Sequence, residues 1–155
     1  MEERRVEETV RSLWDRYEIT DLVHAYAQGV DDQAADAVAA LFAEECVFRA
    51  YDRPTGVAHG RHEVAALLGK LLGTFEATSH HVSATRVVLE GDESASATTT
   101  LYAWHRFREQ RPEGHLWGRY HDRLVREGGR WRFALRELRI TAHQDFDFPW
   151  LPPVR

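Results

Sequence analysis

The order of hydrophobic periods along the chain predicts an α+β fold. Up to Phe75 the apolar residues recur mainly at helical spacing, with one short early strand region interposed. From Thr78 onward they alternate with polar residues at the strand period of two. No linker, repeat or low-complexity stretch separates the two halves, and 155 residues are one domain's worth, so residues 1–155 are expected to form a single domain.

The helices come first. Asp15-Arg16-Tyr17-Glu18 fits a D-x-x-E capping box and predicts a helix from there to Gly29, with Ile19, Leu22, Val23, Tyr26 and Val30 on one buried face. A short helix of its own is expected before it, with Val6, Val10 and Leu13 in register. Gly29 suits a left-handed position at the helix end because it has no Cβ to clash. A second helix follows over Ala35, Val38, Leu41 and Phe42 and needs an N-cap. Either Asp31 or Asp32 can serve; the cap is assigned to Asp32, and Asp31 is kept as a functional candidate one turn beyond the inward-facing Tyr26. Glu44-Glu45 lead into a strand from Cys46 to Tyr51, and Asp52-Arg53-Pro54-Thr55-Gly56 is turn chemistry. A third helix follows Gly60, with Val64, Leu67, Leu68, Leu71, Leu72 and Phe75 as its stripe.

The strands follow. Thr78 to Leu89 reads as one, closed by Glu90-Gly91-Asp92-Glu93. Ser94 to Gln110 is a long strand with Ala95, Ala97, Thr99, Leu101, Ala103, His105 and Phe107 on one face, mostly small, as a sheet curving over something else needs. Leu116 to Arg126 puts Leu116, Gly118, Tyr120, Asp122 and Leu124 together. Glu127-Gly128-Gly129-Arg130 is a hairpin turn into the last strand, Trp131 to Ala142. The tail, Phe146 to Pro153, is aromatic and proline-rich; packing across a groove or a subunit neighbour is the preferred expectation, a lid over a pocket the alternative.

Composition narrows the function. A formal charge of −5 argues against nucleic acid as the main partner, and the arginines of the last third alternate along strands instead of forming a basic stripe. The single Cys46 excludes an internal disulfide and a cysteine-based zinc cluster. No apolar run approaches membrane-spanning length and the charged start lacks a signal-peptide core, so a cytoplasmic protein without a membrane partner is expected. In Ser79-His80-His81-Val82 adjacent strand residues point to opposite faces, so at most one histidine looks inward and the pair does not readily chelate one metal ion. That histidine has an orienting acid in Asp31 and a second inward histidine in His105.

These stretches together resemble the SnoaL-like branch of the nuclear-transport-factor-2-like superfamily. The resemblance rests on the Tyr26-to-Asp31 helix end, Asp52 to Gly60, Ser79-His80-His81-Val82, Gly118-Arg119-Tyr120-His121-Asp122 and Gly129-Arg130-Trp131-Arg132-Phe133, and covers roughly residues 12–146. It implies a cone-shaped α+β barrel whose helices and curved, mostly antiparallel sheet enclose one deep pocket. It also implies kinship with cofactor-free dehydratases and eliminases: scytalone dehydratases, bile-acid 7α-dehydratases and hexachlorocyclohexane dehydrochlorinases. Their Asp–His dyad falls on Asp31 and His80. Tyr26 matches a catalytic tyrosine of the bile-acid enzymes, and His105 and Tyr51 match a histidine and a tyrosine of the scytalone enzymes. Val30 stands where the scytalone enzymes have a tyrosine, and Tyr120 or Asp122 occupies the region of their asparagine, so scytalone is not the expected substrate. The expected pocket lining is Val23, Phe48, Leu101, Phe107 and Leu124, with Tyr51, Tyr120 and Asp122 as polar contacts.

The implied activity is a lyase acting on a hydroxylated, largely apolar polycyclic or aromatic molecule, without cofactor or metal. Isomerisation or cyclisation from the same enol-like species is the alternative, as are a binding or accessory role and a structural role like that of dioxygenase small subunits. Large outward residues on the late strands, Trp104, Trp117 and Val125 beside Tyr102, Arg119 and Arg123, suggest a homo-oligomer; the resemblance favours a trimer, with a dimer as alternative.

Overall fold

In the computed structural model, which describes residues 1–148, three helices and six strands follow one another. They are α1 (Glu2–Asp31), α2 (Ala35–Ala39), β1 (Phe42–Arg49), β2 (Val57–His59), α3 (Gly60–Leu72), β3 (Phe75–Leu89), β4 (Ser94–Phe107), β5 (Gly114–Glu127) and β6 (Arg130–Gln144). The strands form one sheet in the order β2-β1-β6-β5-β4-β3, antiparallel except where β1 runs parallel to β6. The sheet is not closed: β2 and β3 are its edges, and the helices complete the enclosure. The α+β class and the cone are as expected.

Each long strand buries the face its alternation marks. Ala95, Ala97, Thr99, Leu101, Ala103, His105 and Phe107 of β4 are all buried, as are Leu116, Tyr120, Asp122 and Leu124 of β5. Between β5 and β6 Gly128 and Gly129 both take positive φ, 59° and 77°, the geometry of a two-residue primed turn. The core lies between this inner face and α1, α2 and α3, around Ile19, Val23, Val38, Phe42, Val64, Leu101, Leu124 and Phe133.

Several element boundaries differ from expectation. The first helix does not begin at Asp15 or end at Gly29; one continuous helix runs from Glu2 to Asp31. Asp15 is no cap: it is buried, accepting hydrogen bonds from Arg126 Nη2 at 2.6 Å and Trp131 Nε1 at 3.1 Å. Those partners lie more than a hundred residues away, so only the fold reveals them. Val6, Val10, Leu13, Trp14 and Tyr17 stay exposed on the first turns of this helix.

Gly29 is inside the helix and serves close packing, because a Cβ there would sit 2.6 Å from Val38 Cγ2. The left-handed residue is Gln33, φ 56°, held by its own amide donating to the carbonyls of Phe75 and Glu76. Asp32 is the C-cap of α1 and not the N-cap of α2, whose N-cap is Ala34 without a side-chain bond. Leu41 and Phe42 leave α2, and Phe42 begins β1 four residues before the expected Cys46. Phe75 opens β3 instead of closing α3. Among the described residues no helix is long and apolar enough to cross a membrane.

Candidate active site

The site forms where the end of α1 meets the start of β3. Because α1 continues to Asp31, that carboxylate hangs over the edge strand, and Thr78 and His80, two apart on one face of β3, turn toward it. His80 Nδ1 lies 2.7 Å from Asp31 Oδ1, the Thr78 hydroxyl donates to Oδ1 at 2.8 Å, and the His80 backbone N–H donates to Oδ2 at 2.8 Å and Oδ1 at 3.1 Å. A carboxylate is acceptor-only, so Nδ1 carries the proton of this contact and Nε2 is the other ring nitrogen. Partial burial raises the Asp31 pKa, but the hydrogen bonds from the His80 ring and backbone and from Thr78 outweigh it and hold the group below the ordinary carboxylate value. His81 points the other way and is exposed, its Nε2 3.1 Å from Ser79 Oγ.

His80 lines a cavity of about 300 Å³. Tyr26, Tyr51, Tyr120, Thr78, His105, Lys70 and Thr74 supply the other polar groups of its wall, with Val30, Phe48, Leu68, Leu72, Phe75, Leu116 and Leu138 among its apolar ones. Of the residues expected at the site, Asp31, His80, Tyr26, His105, Tyr51, Tyr120 and Phe48 therefore gather in or directly beside one cavity. Val23, Leu101, Phe107, Leu124 and Asp122 do not line it; all five are buried in the core behind its wall. Alternation marked their face correctly but does not say which residues of that face reach the cavity.

The two tyrosines at the inner wall are neutral donors. Burial, foremost, drives the Tyr26 pKa well above its ordinary value, and burial pushes Tyr120 up to about 12. Their rings meet edge-on at 5.6 Å. Behind them sits Arg136, fully buried, its guanidinium 4.1 Å from the Tyr26 ring centre, 3.9 Å from Tyr120 and 4.3 Å from Phe133. Asp122 neutralises it through Nε at 2.9 Å and Nη2 at 3.1 Å. Asp122 is thus the counter-ion of this arginine, and burial raises its own pKa against the pull of Arg136. Strict alternation from Trp131 places Arg136 outward. A register shift beside Leu135 and Phe133 turns it inward, which no sequence pattern announces. Thr78, by contrast, had a signal: it shares His80's strand face.

His105 is 5.6 Å from the His80 ring and lies between Phe75 and Phe146, each at 4.6 Å. Burial, then the neighbouring His80, lowers its pKa to about 3, so the ring stays neutral. Its Nδ1 is buried without a hydrogen-bond partner among the described residues. Tyr51 donates to Thr55 Oγ1 at 3.1 Å and packs on Gly56, where a Cβ would come within 2.5 Å of the ring. Phe146 is buried and Phe148 half-buried, and both line the cavity. Pro149 to Pro153, the rest of the aromatic tail, lie outside the described residues. Among the described residues no three His, Cys, Asp or Glu side chains group as metal ligands.

A cone of helices on a curved sheet, with an acid–histidine pair set in the wall of one mostly apolar cavity, defines a small-molecule-pocket protein of the nuclear-transport-factor-2-like class. Residues 11–137 match the SnoaL-like domain, and the chain belongs to that family. It is similar to a "putative scytalone dehydratase" of Novosphingobium aromaticivorans, with 31% identity over 94% of this chain and 97% of that one and a TM-score of 0.85. A hexachlorocyclohexane dehydrochlorinase (LinA type 2) shares the fold at 16% identity, covering 94% and 97% of the two chains with a TM-score of 0.81. ActVI-ORFA of Streptomyces coelicolor does so at 23% identity, covering 81% and 96%, TM-score 0.68. No curated protein sequence matches the chain.

Proposed function

We propose that the protein is a cofactor-independent lyase that eliminates water from a hydroxylated, largely apolar polycyclic or aromatic molecule carrying an activating carbonyl. The observation that carries this reading is the 2.7 Å contact of His80 Nδ1 with Asp31 on a histidine that faces the cavity. His80 Nε2 takes the proton alpha to the carbonyl, and Asp31 holds the tautomer and stabilises the imidazolium that results. Tyr26 and Tyr120 donate to the developing enolate oxygen, their rings held in place by the Arg136 guanidinium behind them. Return of the proton to the departing hydroxyl falls to protonated His80, because His105 stays neutral and acts as a hydrogen-bonding contact. The likeness to a protein named as a scytalone dehydratase supports elimination over other uses of the site. Isomerisation or cyclisation uses the same first step and is the second reading, favoured if the enol is trapped before the hydroxyl leaves.

The test is ultraviolet absorbance of the new conjugated product across a panel of such alcohols. Turnover that His80→Ala removes supports the lyase, and rearranged product of unchanged mass supports the isomerase. Tight binding without turnover across the panel returns the protein to a binding role.

The outer sheet face supports assembly as a homo-oligomer, and the family resemblance favours a trimer. Trp117 is exposed there, and Tyr102, His115 and Trp117 form a ring cluster closed by Tyr102 Oη to His115 Nδ1 at 2.8 Å. Light scattering at micromolar concentration should report three chains; a monomer overturns this.

A further inference from the structure

The polar groups lining the cavity differ in exposure. Tyr26, Tyr51, Thr78, His105 and Tyr120 are buried and His80 is half-buried. Lys70 and Thr74 line the cavity too and are exposed to solvent. The rest of the wall includes the apolar Leu68, Leu72 and Leu138. Lys70 is the only lysine of a chain whose other 19 basic residues are arginines, and among the described residues it is the only one with a permanent charge that lines the cavity. Among the described residues no acid lines the cavity and Lys70 has no ion pair, whereas the nearby Arg108 is committed to the Gly73 carbonyl and the Gln33 side chain. A lysine lays its four-carbon stem along apolar surface and keeps the ammonium in water, which is where a charged end of a bound molecule would emerge.

We infer that Lys70 is a specificity-determining residue that selects ligands carrying an anionic group, a carboxylate or sulfonate, at their solvent-exposed end. The substrate is then amphipathic: an apolar ring system in the cavity and an anion at its mouth. This deepens the lyase reading and rests on the cavity being a small-molecule site. An ordinary role for Lys70 exists, since it sits in the last turn of α3 where a cation favours the helix dipole. That role affects stability and cannot discriminate between two ligands of one shape.

A matched pair of fluorescent probes separates these possibilities: 8-anilino-1-naphthalenesulfonate and N-phenyl-1-naphthylamine share a skeleton and differ in the anion. Displacement of one by the other in the wild-type protein places both in one site. Lys70→Gln should weaken the sulfonate by about three- to fivefold and Lys70→Glu further, with the neutral probe changed less than about twofold, and Lys70→Arg should restore the sulfonate. Added salt should weaken only the sulfonate. If both probes bind and the Lys70 variants treat them alike, the inference falls while the cavity reading stands. If neither probe binds, both fall together.

Discussion

Two acid–base pairs lie close behind the same cavity, and they are built for opposite ends. Asp31 and His80 have their hydrogen bonds on one side and the cavity on the other, leaving one ring nitrogen uncommitted among the described residues. Asp122 and Arg136 have no exposed side-chain surface at all and are walled in by Tyr26, Tyr120 and Phe133. The surroundings separate the two acids as well: three hydrogen-bond donors hold the Asp31 pKa down, while burial pushes that of Asp122 up. A carboxylate beside a cation therefore marks chemistry only where the pair retains an open valence toward a cavity. Without it, the pair is a buried support whose removal harms the fold.

Removing His80 is the sharpest way to break the contrast. His80→Ala should lower kcat by about three orders of magnitude or more, with a smaller loss of stability than Arg136→Met, because the ring is the proposed base and the Asp31 carboxylate it leaves keeps access to solvent. Full activity in this variant ends the dyad reading. Arg136→Met should do the reverse, costing about 3–5 kcal/mol in denaturant unfolding by stranding a buried carboxylate. The double variant Asp122→Leu, Arg136→Met should recover much of that loss; if it does not, the pair contributes more than mutual neutralisation.

Tyr26 connects the two regions. Tyr26→Phe keeps the ring on Arg136 and removes one donor, so kcat/KM should fall by about 1–3 kcal/mol with stability close to wild type. Acid titration gives a smaller, signed effect. Asp31 has a lowered folded pKa, so its stabilising contribution is present above its unfolded value and disappears as pH falls through the folded one. The stability gap between wild type and Asp31→Asn should thus be constant at neutral pH and shrink below about pH 4. A gap that widens there would reverse the assigned direction. Smallest of all, Asp32→Ala should change neither activity nor stability by more than about 0.5 kcal/mol, although it neighbours Asp31, because its side chain is exposed and caps nothing.

What sequence alone determined here is what periodicity encodes. The α+β order, the buried faces of β4 and β5, the Gly128-Gly129 turn and the inward choice of one histidine from His80-His81 all follow from local spacing, since a strand has only two faces and a helix one core stripe. Motif resemblance added the pairing of Asp31 with His80 across 49 residues, which spacing cannot reach. Tertiary structure decided the rest. Asp15 reads as a cap until Arg126 and Trp131 arrive to bond it, and Gly29 reads as a helix end until Val38 packs on it. Arg136 reads as a surface residue until a one-residue bulge reverses its parity, and Val23, Leu101, Phe107 and Leu124 are buried but are not among the residues that line the cavity. Each of these depends on a partner distant in sequence or on a break in the period, and a pattern of faces carries no information about either.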